Sequence, residues 1–146
     1  MGNVDRLRTM HQKFNVRDLD TVLAQSSEKV VLTDHGRGGQ TIDGREGLAE
    51  WLRAFIAMSS DMTIVDAVYI DGGPYVTSMF RVVGTQDGPI GRYDPSGRQY
   101  SLDVCEVWRF DADGVGVEGH NYSDGLGLLV QLGHVEAPAL DDGAAR

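Results

Sequence analysis

The hydrophobic period changes once along this chain, and that change constrains the fold more than any other feature. Before Asp61, apolar residues recur at steps of three and four; after it they alternate, in MTIVDAVYIDGG, PYVTSMFRVVGT, RQYSLDVCEVWRF and VGVEGHNYSD. Steps of three and four put side chains on one face of a helix, whereas alternation puts them on one face of a strand. The breaks between the extended runs are GGP, GTQDGP through DPSG, and DADG, all of which are turn chemistry. Four successive strands joined in this way make an antiparallel meander. Helices first and a twisted sheet after them define an α+β domain whose helices cover one face of the sheet.

Local signals place the remaining elements. Val4, Leu7, His11 and Phe14 share a face of a first helix, and Asp18 is a suitable N-cap for LDTVLAQ, with its stripe of Leu19, Val22 and Leu23. KVVLTDH at 29–35 reads as a strand closed by GRGG. Asp43 and Glu46 form a capping-box-like start to a helix that carries Leu48, Trp51, Leu52, Phe55 and Ile56 on one side. GLGLLVQLG predicts a short last helix through Leu126, Leu129 and Leu132, and 134–146 reads as a frayed acidic tail.

A chain of 146 residues is one domain, able to bury roughly 68–70% of its unfolded surface and to enclose a small ligand. Thirteen Lys plus Arg against 22 Asp plus Glu give a charge of −9, which opposes any grip on phosphates or anionic lipid. Neither nucleic acid nor a membrane is expected as a partner. Cys105 is the single cysteine and forms no internal disulfide, and MGNVDRLRTM reads as neither a secretion signal nor a myristoylation site, so the expected location is the cytoplasm. The 19 glycines exceed the usual share of about 7%, and are expected to punctuate tight turns.

Most familiar chemistries are absent by spacing. His11, His35, His120 and His134 make no H-x-x-x-H pair and have no cysteine companions, so no metal site is expected. DADG at 111–114 has its glycine fourth, where a calcium loop needs it sixth, and HGRGG at 35–39 lacks the Lys-Ser/Thr of a phosphate loop. There is no G-x-S-x-G elbow, and Cys105, within an alternating strand, reads as a small buried hydrophobe. In the last strand His120, Tyr122 and Asp124 alternate onto one face, successive residues being about 6.6 Å apart. A carboxylate in an apolar concavity is a competent proton acceptor near neutral pH, but Asp124 is equally placed to cap the helix that starts at Gly125. On the strand 99–110, Asp103 and Cys105 share one face while Glu106 and Trp108 share the other, and either face is free to be the inner one.

Taken in order, FNVRDLD, VVLTDH, IDGREGLAEWLRAFIAM, VVGTQDGPIG, the Pro-x-Gly-Arg segment at 95–98, EVWRFDADG and NYSDGLGLLVQLG resemble the SnoaL-like polyketide cyclases of the NTF2-like superfamily, over residues 4–133. The resemblance implies a cone: a curved, mostly antiparallel sheet and three N-terminal helices enclosing an apolar pocket, with a short C-terminal helix. It implies ring closure of an aromatic polyketide by intramolecular aldol condensation without metal or cofactor, with Asp124 as acid/base. His120, Tyr122 and His35 are then candidates to bind the oxygens of a small polycyclic aromatic substrate, and Trp51, Phe55, Phe80 and Trp108 to line its pocket. A homodimer or homotetramer, paired through convex sheet faces, is also implied. His120 departs from the family, which usually carries a tryptophan there, and this leaves two alternatives open: a hydroxylase or isomerase of a similar polycycle, or a ligand-binding module without catalysis.

Overall fold

The computed structural model describes residues 1–140. Helix α1 (Asn3–Asn15) buries Leu7, Met10, His11 and Phe14, and α2 (Leu19–Ala24) follows it, capped by Asp18, whose carboxylate accepts from the Thr21 N–H at 3.2 Å. Strand β1 (Ser26–Asp34) runs into a 3₁₀ turn (His35–Arg37) and returns as β2 (Gln40–Asp43), a strand that the sequence pattern does not announce. The expected capping box at Asp43 does not form: Asp43 is extended and makes no side-chain cap, because β2 leads straight into α3 (Gly44–Met58) through Gly44 at φ 75°. Strands β3 (Thr63–Gly72), β4 (Tyr75–Thr85), β5 (Gln99–Phe110) and β6 (Gly116–Ser123) complete the sheet, and α4 (Gly125–Gln131) is the last helix among the described residues.

The six strands lie in the order β2-β1-β6-β5-β4-β3. All neighbours are antiparallel except β1 and β6, so the meander expected from alternation is present and the first hairpin docks onto its far edge in parallel. A bulge in β3, between Val65 and Val68, includes Asp66 at φ 56° and bends the sheet at that edge. Helices α1, α2 and α3 cover the concave face, and the core lies between them: Leu7, Met10, Phe14, Leu48, Trp51 and Leu52 from the helices against Leu32, Val76, Phe80, Val104 and Trp108 from the sheet. Asn15 ties α1 to β3 through both its amide groups, donating to the Ile64 carbonyl at 2.9 Å and accepting from the Ile64 N–H at 2.8 Å.

Residues 86–98 are held by one buried amide. Gln86 donates to the carbonyls of Gly88 and Asp94 and accepts from the Ser96 N–H and from His134, whose ring stacks on Tyr93 at 4.9 Å. His134 is therefore anchored to the domain; the end of the expected tail, 141–146, lies outside the described residues. No helix among the described residues is long and apolar enough to cross a membrane.

Tyr100, on the inner face of β5, is 5% exposed and its hydroxyl has no hydrogen-bond partner. Burial pushes its phenol up to about 12. The neutral form is the one the fold favours, so its contribution to stability is complete below the unfolded value near about 10 and is lost as pH rises towards 12. In an absorbance titration at alkaline pH one tyrosine of the five is expected to ionise near 12, and Tyr100→Phe to remove that step; a Tyr100 that titrates with the exposed tyrosines would show that the inner face is wet.

Candidate functional site

The strand register sets one polar residue from each of five strands side by side across the concave face. Tyr69 pairs with Ser78, Ser78 with Glu106, Glu106 with Asn121, and Asn121 with Asp34. The flanking rows are apolar: Val76, Trp108, Gly119, Leu32 and Ile42 on one side, and Phe80 and Val104, ending at Ser123, on the other. Ser78, Asp34, Glu106 and Asn121 are all buried, at 0%, 2%, 7% and 8% exposure. A carboxylate is seldom buried unless it is paired, so a buried polar row within an apolar face marks a site rather than a core.

The row is completed from α1. His11 reaches down so that Nε2 lies 3.1 Å from Glu106 Oε1 and Nδ1 lies 2.8 Å from the Tyr69 hydroxyl. Burial raises the Tyr69 phenol above its ordinary value, keeping it a neutral O–H donor. Donated to Nδ1, that proton leaves the imidazole hydrogen on Nε2, directed at Glu106. The other Glu106 oxygen accepts from the Asn121 amide at 2.9 Å. One carboxylate thus takes two hydrogen bonds from two different elements, with its remaining lone pairs free. Asp34, at the far end of the row, accepts from the Trp51 indole N–H at 2.9 Å and from the Gly36 N–H at 3.0 Å, with Arg37 at 3.6 Å.

Above the row lies a cavity of about 100 Å³. His11, Tyr100, Glu106, Asn121 and Ser123 bring polar groups to its wall; the rest is aliphatic or aromatic, including Phe14, Trp51, Phe55, Phe80, Val104 and Trp108. An engineered cavity of about 150 Å³ admits benzene, so at about 100 Å³ even a single-ring ligand enters only as wall residues give way. Phe55, Ile64 and Leu102 are half-buried and lie at the wall; Arg37 is stacked over Phe55 at 5.2 Å. No Lys or Arg lines the space.

The residues expected from the sequence divide cleanly. Trp51, Phe55, Phe80 and Trp108 line the cavity. His120, Tyr122 and His35 do not: they gather on the opposite, outer face, where His35 Nε2 lies 3.0 Å from His120 Nδ1 and the His35 and Tyr122 rings stack at 4.2 Å. The inner positions of β6 are Gly119, Asn121 and Ser123, small enough to leave room for Trp108 and the cavity. Asp124 is exposed and caps α4, accepting from the Gly127 N–H at 2.8 Å; it does not line the cavity. On β5 the inner face is that of Glu106 and Trp108, and Cys105 lies half-buried on the outer one. The pattern of the sequence does not point to His11 or Asn121 as site residues, although Glu106 is the one charge in the alternating inner series Tyr100, Leu102, Val104, Glu106, Trp108, Phe110. Among the described residues no three His, Cys, Asp or Glu side chains gather as metal ligands would.

The profile of the SnoaL-like domain matches residues 7–118. IdmH, a candidate polyketide cyclase from Streptomyces antibioticus, is 25% identical over 91% of this chain and 99% of its own, with a TM-score of 0.79. A candidate SnoaL-like polyketide cyclase from Jannaschia sp. CCS1 has a TM-score of 0.82 at 20% identity, covering 94% of this chain and 93% of its own. AclR, a candidate hydroxylase from Streptomyces galilaeus, has a TM-score of 0.80 at 19% identity, over 94% of this chain and 84% of its own. No curated protein resembles the chain closely enough to count as a match.

The cap and the site are separable. Asp124→Ala is expected to cost about 0.5–2 kcal/mol of stability in a denaturant titration, the range for a lost N-cap, while ligand binding in the cavity stays unchanged. A variant of normal stability that no longer binds would move the site to α4.

Proposed function

The chain belongs to the SnoaL-like domain family, and on that footing we propose that it is a cyclase that closes a ring in a neutral aromatic polyketide by intramolecular aldol condensation, with Glu106 as the acid/base. The observation that carries this reading is the position of Glu106: a carboxylate 7% exposed, opening on a largely apolar cavity, with its hydrogen-bond donors already in place.

The steps balance on one carboxyl group. A C–H bond between two carbonyls, or next to a conjugated ring, loses its proton to Glu106 and leaves an enolate. The enolate carbon attacks a carbonyl carbon brought against it by folding of the substrate, a C–C bond forms, and the carbonyl π pair becomes an alkoxide. Protonated Glu106 returns the proton to that oxygen. His11 and Asn121 fix the carboxylate in direction; Tyr69 fixes the tautomer of His11. Apolar walls and the lack of cations in the cavity favour a substrate without a charged group there. This assignment replaces Asp124, whose carboxylate is engaged at the surface by the end of α4.

Proton abstraction is separable from ring closure, since deuterium exchange at the α-carbon of an aryl β-keto ester such as ethyl benzoylacetate reads it alone. The protein is expected to accelerate that exchange in D₂O, and Glu106→Gln, which keeps the size and one acceptor oxygen, to lower the rate about 10²- to 10⁴-fold, the usual share of general acid–base catalysis. Exchange that survives in Glu106→Gln, or that the unmodified protein does not accelerate, would overturn the proposal.

A further inference from the structure

We propose that Trp108 and Asn121 form an oxygen-binding corner beside Glu106, in which the indole N–H of Trp108 donates to the carbonyl oxygen of the bound substrate. This deepens the acid/base reading above and rests on it. Trp108 is 2% exposed and lines the cavity. Its N–H makes no hydrogen bond among the described residues. It is nevertheless not a sealed orphan: the unpaired side-chain polar atoms shut off from any solvent-sized space are Gln25 Oε1, Ser26 Oγ, Ser78 Oγ and Tyr100 OH, and the Trp108 nitrogen is not one of them. A buried N–H without a partner, on a residue that lines the cavity, is available to an acceptor bound there.

Two glycines of β6 set the direction of that N–H. A Cβ on Gly119 would fall 2.9 Å from Cε2 and Cζ2 of the indole, and one on Gly116 would fall 3.4 Å from Cε3 and Cζ3. The ring therefore lies flat along β6 from Gly116 to Gly119, a position that a side chain at residue 119 would deny it. Cε2 carries the pyrrole nitrogen, so the N–H leaves the ring at the Gly119 end, on the side of Asn121. Asn121 donates one amide N–H to Glu106 and lines the same cavity. Trp108 and Glu106 are two residues apart on one strand and face the same way, their backbones about 6.6 Å apart along it, so both side chains border the same stretch of the cavity.

The consequence is differential. As the α-proton moves to Glu106, charge grows on the carbonyl oxygen, and a fixed N–H in an apolar space stabilises the enolate more than the ketone. Trp51 supplies an internal control, because its N–H is already bonded to Asp34 at 2.9 Å. The protein has two tryptophans, so both indole N–H signals are resolvable by ¹⁵N–¹H NMR.

Acetophenone and cumene are near-isosteres that differ in the oxygen. On titration into the ¹⁵N-labelled protein both ligands shift the two indole signals through their rings, and acetophenone is expected to move the Trp108 N–H further downfield than cumene does, while the Trp51 signal moves alike with the two. Trp108→Phe, which keeps an aromatic wall, is expected to weaken acetophenone about 3- to 10-fold and cumene hardly at all, the loss of one net hydrogen bond. Equal movement of the Trp108 signal with both ligands, movement with neither while cumene binds, or an unchanged ketone preference in Trp108→Phe overturns the corner and leaves the acid/base reading of Glu106 standing. Failure of both ligands to bind removes the cavity as a binding site and takes both readings with it. The NMR arm uses the unmodified protein, so it decides the matter even if Trp108→Phe does not fold.

Discussion

A carboxylate buried against the apolar face of a sheet must be given hydrogen-bond donors, and the way Glu106 obtains them organises the domain. Taking such an ion out of water costs several kcal/mol unless its oxygens are satisfied. One donor comes from the neighbouring strand as Asn121, the other from α1 as His11, and His11 in turn needs Tyr69 from the far edge of the sheet. A single buried charge thereby couples β3, β5, β6 and the first helix. The apolar rows on either side exclude water, which strengthens each of these hydrogen bonds and would make the loss of any one donor costly.

The two faces of the sheet carry different chemistry. Inside are the polar row and the cavity. Outside, Val68, Ile70, Tyr75, Met79 and Tyr122 are each about half-exposed, among surface ion pairs of Arg81 with Asp66 and Asp103 and of Arg109 with Glu118. The 3₁₀ turn that joins β1 to β2 bridges the two faces at one end. From it His35 packs outward on Tyr122, while Arg37 covers Phe55 and Asp34, the turn's N-cap, holds Trp51, both cavity residues. The half-buried Phe55, held under Arg37, is part of the cavity wall where this turn meets α3, so a movement there would enlarge the cavity for a bigger ligand.

Much of the fold could be read from periodicity. The helical stripe of Leu7, His11 and Phe14, the cap at Asp18 and the change to alternation after Asp61 correspond to α1, α2 and the meander. β2 escaped because four residues between GRGG and a helix carry no alternation of their own, and are a strand only through pairing with β1. The site was half legible. The aromatic wall follows from large apolar residues on helical and strand faces, but the parity of β6 was ambiguous: polar residues occupy both its faces, and the inner one is small because Trp108 fills the space above it. His120, Tyr122 and Asp124 look like a site by residue type and are on the outer face or at its end. Glu106 gave the better signal, a lone charge in an apolar alternation, and its meaning depended on knowing which face of β5 points inward.

The central claim is that chemistry happens at Glu106 inside the cavity. A crystal structure with an aryl β-keto ester carrying two methyl groups on its α-carbon, which has no proton to lose, tests this most directly. The account predicts that one of the added methyl groups, standing where the α-proton would be, lies about 3–3.5 Å from the Glu106 carboxylate, with the ring among Trp51, Phe55 and Phe80. A ligand seated beside Asp124 or on the outer face at His120, with the cavity closed, would contradict it.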